Sequence, residues 1–311
     1  MDLWFLGTGA GRPTKERNVT SIALKLPEPC GELWLFDAGE GTQHRLLHTP
    51  LKLSKLSAIF ITHLHGDHTF GLPGLLSSRS YFETEQPLKL FGPPGIRKMV
   101  TTALDISGSR LEYELIVEEI SEGTVYEDGL YKVEAALLDH RIDSYGYRIT
   151  ERDRPGKLDS AKLRELGVPS GPLYGVLKGG GDVTLDDGRV IRASDVVGPP
   201  VKGRVVTILG DTRPCGNTLK LAAGADVLVH EATFAAGQEE KAFDYGHSTT
   251  LQAAAEAKKA GVGRLVMTHF SSRFRLEDLP ELEREAQSVF PESVAAYDLY
   301  QLSVPQPARS E

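Results

Sequence analysis

Short apolar runs of strand length recur along the chain, many of them closed by Gly or Pro. The clearest are residues 3–6, 33–36, 58–61, 133–138, 205–209, 227–229 and 265–267. They are rich in Val, Ile and Leu, the composition that sheet interiors require. Between many of them the apolar spacing lengthens to a helical period. Residues 249–259 read as an amphipathic helix with a Thr near its start and Gly261 after its end. Residues 276–289 place Leu276, Leu279, Leu282 and Val289 on one face. A shorter helix is predicted over 40–48. The pattern predicts sheets covered by helices, an α/β or α+β architecture.

Composition narrows the class. The 311 residues are 40% hydrophobic and 25% charged, enough to bury a sizeable core. Lys and Arg number 35 against 43 Asp and Glu, a net charge of −8. That excludes a wholesale basic surface for nucleic acid and leaves room for a local basic patch. Cys30 and Cys215 are too few for a disulfide framework or an all-thiolate metal site, and read as free thiols of a reducing compartment. The N-terminal segment lacks the basic start of a secretory signal, and no stretch approaches the roughly 20 apolar residues of a membrane span. The expectation is a cytoplasmic protein. Residues 151–204 stand apart. They are rich in Gly and Pro, poor in apolar runs, and hold ten basic and eight acidic residues. They read as a segment inserted into one domain covering 1–311. The tail, 305–311, is expected to fray.

The strongest chemical signal is Thr62-His63-Leu64-His65-Gly66-Asp67-His68, directly after the apolar run 58–61. Three imidazoles and a carboxylate in six residues are poor packing material. They suit zinc, and also iron or manganese. Alternate residues of an extended segment face one way, so His63 and His65 can meet one metal. Beyond Gly66 the chain can turn Asp67 and His68 toward a second. Other apolar runs end in the same kind of residue: Asp139-His140, Gly210-Asp211, His230-Glu231 and Thr268-His269. Ligand sites in α/β folds lie just beyond strand carboxyl ends. Counting ligands gives His63, His65 and His140 for one metal and Asp67, His68 and His269 for the other, with Asp211 able to bridge. Two such metals, about 3.5–4 Å apart, can share a hydroxide and stabilise attacking and leaving oxygens together. His44 and His48 have no apparent third partner and read as structural or surface residues.

The His-x-His-x-Asp-His segment, followed in order by His140, Asp211 and His269, resembles the metallo-β-lactamase fold superfamily. That resemblance implies an αββα four-layer sandwich: two mixed sheets face to face, helices outside, and two zinc ions per subunit at one edge. The β-lactamases have a cysteine near the place of Asp211; here the cysteine, Cys215, lies four residues on, which argues against that branch. Glyoxalase-type thioesterases share the bridging aspartate, so the ligand set alone leaves the substrate open.

Further segments choose a branch. Phe5-Leu6-Gly7-Thr8-Gly9-Ala10-Gly11 precedes Pro13-Thr14-Lys15-Glu16-Arg17-Asn18. His230-Glu231-Ala232-Thr233 is followed by His247-Ser248-Thr249, and Ser271-Ser272-Arg273 follows His269. Together they resemble the ribonuclease Z family, endonucleases that cut precursor tRNA on its 3′ side. The similarity runs over nearly the whole chain. It implies that 151–204 is a flexible arm gripping the tRNA, with Gly171 and Pro172 in its glycine–proline element. It implies a homodimer in which one subunit's arm serves the partner's site. It also implies that Asp67 orients or deprotonates the attacking water, that His247 gives a proton to the leaving 3′ oxygen, and that Glu231 holds His247. Lys15, Arg17 and Arg273 are candidate phosphate contacts. The products implied are a tRNA with a 3′ hydroxyl and a trailer with a 5′ phosphate. A small-ester phosphodiesterase, a thioesterase and a catalytically silent RNA-binding protein on the same scaffold are the competing readings.

Overall fold

All seven apolar runs form strands in the computed structural model, which describes residues 1–306 except 29, 83 and 85. The tail beyond residue 306, part of the segment expected to fray, lies outside the described residues. One sheet runs, neighbour to neighbour, Tyr300–Ser303, Asp2–Gly7, Ser21–Lys25, Leu33–Phe36, Leu56–Phe60, Leu88–Gly92 and Leu115–Glu119. Its first pairings are antiparallel, and the last three are parallel. The other runs Ser293–Ala295, Leu265–Thr268, Val227–Glu231, Val205–Leu209, Ser144–Glu151, Tyr131–Leu138 and Gly123–Glu127. Its first four strands are parallel.

Alternate side chains of each strand point to opposite faces, and here both faces are apolar. Leu3, Phe5, Trp34, Phe36 and Phe60 turn inward to meet Val133, Tyr147, Ile149, Val206, Ile208 and Val229 of the opposing sheet in one core. Leu33, Leu35, Ile59 and Ile61 face outward, covered by helices Thr42–Leu46, Leu72–Arg79 and Ile96–Ser107. On the far side Leu228, Leu265 and Met267 are covered by Gly216–Ala222, Thr250–Ala260 and Leu279–Gln287. The result is the expected αββα sandwich. Register places Phe36 opposite Phe60 and Phe60 opposite Phe91. Their rings stack at 5.0 and 4.9 Å, and Tyr147 packs across Phe60 at 5.4 Å.

Two predicted helices differ in extent. Residues 276–289 divide into a short 3-10 turn, Leu276–Asp278, and the helix Leu279–Gln287. Pro280 explains the break: it lacks the N–H that a helix continuing through it would need, and it suits the first turn of a new one. In 40–48 only Thr42–Leu46 is helical, because Gly41 sits in the left-handed region (φ +75°). The helix predicted over 249–259 spans Thr250–Ala260. Thr249 and Gln252 form a reciprocal cap at its start, and Gly261 ends it in the left-handed conformation.

The chain divides into two compact units: Met1–Ile149 with Val205–Val304, which contains both sheets, and Thr150–Arg204 with the described tail residues Pro305 and Gln306. The smaller unit has its own core of Leu163, Val168, Leu177, Val183, Ile191, Ala193 and Val196. These are single apolar residues dispersed among polar ones, so no long run marks them in the sequence. Arg204 clasps Glu151 with Nε at 2.7 Å and Nη2 at 2.9 Å, both side chains buried. Asp159 caps the helix Ser160–Glu165, and Gly171 precedes the helix Pro172–Lys178 with Pro172 in its first turn.

The stacked phenylalanines predict a specific weakness. Phe60→Ala is expected to cost about 3–5 kcal/mol through the cavity left between the sheets. The shift of the urea midpoint at constant slope measures it.

Candidate metal centre

Parallel strands of one sheet end on the same edge, and the polar residues gather beyond such strand ends of both sheets. Strand Leu56–Phe60 leads into Thr62–His68, Val205–Leu209 into Asp211, and Leu265–Thr268 into His269. Gly210 has to be small: a Cβ there would meet Ser144 Oγ and Thr62 Cβ, each at 2.6 Å.

The structure brings the seven predicted ligands together. His63, His65, His140 and Asp211 offer donor atoms that all lie within 4.8 Å of one another, and so do Asp67, His68 and His269. His63 Nε2 is 3.0 Å from His65 Nδ1, and His140 Nε2 is 3.4 Å from that same atom. His68 Nε2 is 3.2 Å from His269 Nε2, which is 3.4 Å from Asp67 Oδ2. Asp211 Oδ2 stands between the two groups, 3.6 Å from His63, 3.6 Å from His68 and 3.4 Å from His269. Donors at 2.0–2.1 Å around a tetrahedral zinc are roughly 3.3 Å apart along each edge. The observed spacings fit that value, and the nitrogen-rich set suits such a cation. Asp211 Oδ2 is thus within reach of both groups.

A second layer fixes the rings. His68 Nδ1 pairs with Asp37 Oδ2 at 2.7 Å, and Thr62 Oγ1 donates to the same oxygen at 2.8 Å. Thr62 Oγ1 also lies 3.0 Å from His63 Nδ1. His140 Nδ1 pairs with Gly246 O at 2.7 Å, and His269 Nδ1 with Thr233 Oγ1 at 2.9 Å. Occupying one ring nitrogen sets the tautomer and aims the other. The sequence reading passed over Asp37 and Thr233, although Asp37 follows the apolar strand 33–36 as the ligands follow theirs. Asp37 and His269 are also two of the three non-glycine residues with positive φ among the described residues, +59° and +58°. Such backbone costs of order 1–3 kcal/mol each.

Electrostatics sorts the site. Burial lowers His63, His65 and His140, which keeps their lone pairs available for a cation. Burial opposes the ionised form of Asp211, but His269, His68 and His63 outweigh it and hold the carboxyl well below its usual range. Partial burial opposes the charge of Asp67 as well, yet its hydrogen bond from His269 and the charge of His68 lower it. Gly11, in the left-handed region (φ +71°), aims its N–H at Asp67 Oδ2, 2.6 Å away.

Glu231 and His247 form a separate pair. His247 Nδ1 lies 3.0 Å from Glu231 Oε1, which also accepts from Ser248 N at 3.0 Å and Thr212 N at 3.2 Å. Thr233 serves the other carboxylate oxygen through its N–H at 2.9 Å and its hydroxyl at 2.7 Å. Burial disfavours charge on His247, but the Glu231 carboxylate prevails and raises its pKa to about 9. The neighbouring His230 takes no place among the ligands. Its Nε2 pairs with Glu256 at 3.1 Å and its Nδ1 with Glu231 O at 2.6 Å.

A cavity of about 270 Å³ opens on this centre, lined among others by Asp67, Asp211, His247, His269 and Arg273. Arg273 and Lys15 are exposed. Arg17 departs from its expected role as a phosphate contact. It is 2% exposed, and its guanidinium donates to Ser271 O at 3.1 Å and to Phe274 O. It braces the loop after His269 from within. Gly171 and Pro172 are exposed in the smaller unit, and His44 and His48 lie exposed in the larger. Cys30 and Cys215 are free thiols. No helix among the described residues is long and apolar enough to cross a membrane.

Asp37 makes the testable difference here. Asp37→Asn removes the carboxylate that orients His68 and is expected to weaken metal affinity about 10–100-fold, read by chelator competition.

The chain is similar to known proteins over its whole length. A family model described as anti-Pycsar protein Apyc1 matches residues 1–134. The ribonuclease Z of Bacillus licheniformis is 54% identical over 301 residues, covering 97% of this chain and 98% of that protein. Among solved structures, human tRNase Z, short form, superposes with a TM-score of 0.71 at 31% identity, over 98% of this chain and 100% of that one. A metallo-β-lactamase fold protein of Bacillus subtilis shares the fold, with a TM-score of 0.68 at 18% identity over 97% of this chain and 98% of the other. The chain belongs to the ribonuclease Z family.

Proposed function

We propose that this chain is a metal-dependent endoribonuclease that cuts precursor tRNA on its 3′ side, leaving a tRNA 3′ hydroxyl and a trailer with a 5′ phosphate. One observation carries the reading: Asp211 stands between two groups of ligand-type side chains, and His247, paired with Glu231, lines the same cavity. His63, His65 and His140 would hold one cation and Asp67, His68 and His269 the other, with Asp211 between them. Zinc suits this set, and manganese or iron are alternatives. Two such cations lower the pKa of water to give a nucleophile near neutral pH and neutralise charge on the phosphoryl oxygens.

The chain's own residues supply the rest. Asp67 orients the attacking water or takes its proton. His247 protonates the departing 3′ oxygen. Its Nδ1 is engaged by Glu231, so Nε2 is the nitrogen left for substrate. The Glu231 carboxylate raises the pKa of His247 against burial, which favours the protonated form that a general acid needs. Glu231, held by several donors, stays in place and supports the imidazolium.

Lys15 and Arg273, both exposed, would meet phosphates, and the smaller unit, with Gly171 and Pro172, would hold the body of the tRNA. A net charge of −8 is compatible with this, because phosphate binding needs only a local basic track. The working form is a homodimer in the cytoplasm.

Incubating the protein with end-labelled precursor tRNA, with and without chelator, tests the reading. One chelator-sensitive cut with the stated end groups is expected; no cut, or one indifferent to chelator, sinks it. His247→Ala should retain its metal by elemental analysis while cleaving about 10²–10⁴-fold more slowly. Gly198 N donates to Lys157 O at 2.9 Å, so residues 158–197 can be deleted between neighbouring ends. That deletion should raise KM for precursor tRNA at least about tenfold more than KM for a small chromogenic phosphodiester, as loss of phosphate contacts predicts.

A further inference from the structure

The helix Glu239–Tyr245 leads into His247 and leaves two large rings in solvent: Phe243, 62% exposed, and Tyr245, 49% exposed. Each ring carries a guanidinium. Arg213 lies 4.6 Å from the Phe243 ring centre and Arg141 4.9 Å from that of Tyr245. Both cations are anchored: Arg213 donates to Phe243 O at 2.7 Å and to Asp139 at 2.8 Å, and Arg141 to Asp244 O. Rings held by fixed planar cations form a surface of defined orientation with positive charge behind it. This surface is continuous with the reaction site. Tyr245 and Lys241 line the same cavity as Asp67, Asp211 and His247. The buried ring of Phe234 links them, 6.1 Å from His247 and 6.2 Å from Tyr245.

The direction of the RNA follows from the chemistry. In a displacement at phosphorus the leaving oxygen departs opposite the attacking one, so the nucleoside that owns the leaving 3′ oxygen lies on the His247 side and the trailer phosphate on the side of the ligand triads. We propose that Tyr245, with Phe243 beyond it, is a stacking ledge for the unpaired base of the nucleoside carrying the leaving 3′ oxygen, and that Arg141 and Lys241 meet the phosphates leading to it. The proposal rests on the endoribonuclease reading above. A ring accepts the face of any base, so the ledge tolerates sequence while demanding that the base be unpaired and free to stack.

The test is a cycle of two enzymes and two substrates. Precursor tRNA is compared with the same RNA made abasic at that one nucleotide. Tyr245→Ala should lower kcat/KM on the intact precursor roughly 5–100-fold, mostly through KM, as expected for one base–aromatic stack. On the abasic precursor wild type and Tyr245→Ala should be equal, and Tyr245→Phe should match wild type on both. Equal losses on the two substrates, or a loss shared by Tyr245→Phe, overturn the ledge. A second readout needs no variant: 2-aminopurine at that position should lose fluorescence on binding wild type, and unchanged fluorescence overturns the proposal. Failure of the underlying reading is visible separately, as wild type that makes no chelator-sensitive cut in the intact precursor, and it removes the ledge with it.

Discussion

A carboxylate buried to 3% exposure survives only among positive charge and donors, and Asp211 imposes that condition on everything around it. Its Oδ2 has His63, His68 and His269 within 3.6 Å and His247 Nδ1 at 3.8 Å. Four imidazoles from distant parts of the chain therefore face one oxygen. Strand ends of both sheets deliver His63, His68 and His269, the helix Glu239–Tyr245 leads to His247, and the small residue before Asp211 lets its loop close against Thr62. Much of the local sequence follows from supplying this group with partners and keeping water away from it.

The rings around Asp211 are themselves held. Asp37 positions His68, Gly246 O positions His140, and Thr233 reaches both His269 and Glu231. Thr233 thus joins the group around Asp211 to the Glu231–His247 pair through a single hydroxyl. Asp37 and His269 hold left-handed backbone for the sake of these contacts. The aromatic stack between the sheets supplies the rigidity against which such conformations persist, since a close-packed core resists the small shifts that would relax them.

The convergence of these histidines and carboxylates was legible in the sequence because it is written in residue type: such residues beyond apolar strands have few other uses. Helix bounds were less legible. Gly41 and Pro280 interrupt patterns whose apolar spacing continues past them, and backbone geometry decides where spacing alone does not. Arg17 illustrates a further limit. A basic residue in a glycine-rich loop reads as a phosphate contact until its burial against Ser271 O and the ring of Phe270 is seen. The core of the smaller unit was hidden because its apolar residues are scattered, and Asp37 because one aspartate beyond a strand carries too little signal.

His230 and His247 show why residue type alone cannot assign a role. His230 ends an apolar strand and His247 follows a charged helix, yet both have carboxylate partners that raise their pKa against burial. His230 spends both ring nitrogens, on Glu256 and on the carbonyl of Glu231, so no nitrogen remains for substrate. His247 gives Nδ1 to Glu231 and turns toward the cavity with its remaining nitrogen. The division continues among the ligands. His63, His65 and His140, where burial dominates, are lowered and ready to donate lone pairs. His68, pressed between Asp211 and Asp37, is raised, so a cation arriving there takes the place of a proton. The number of carboxylates each ring faces, and which of its nitrogens they occupy, separates the lowered rings from the raised ones within one cluster.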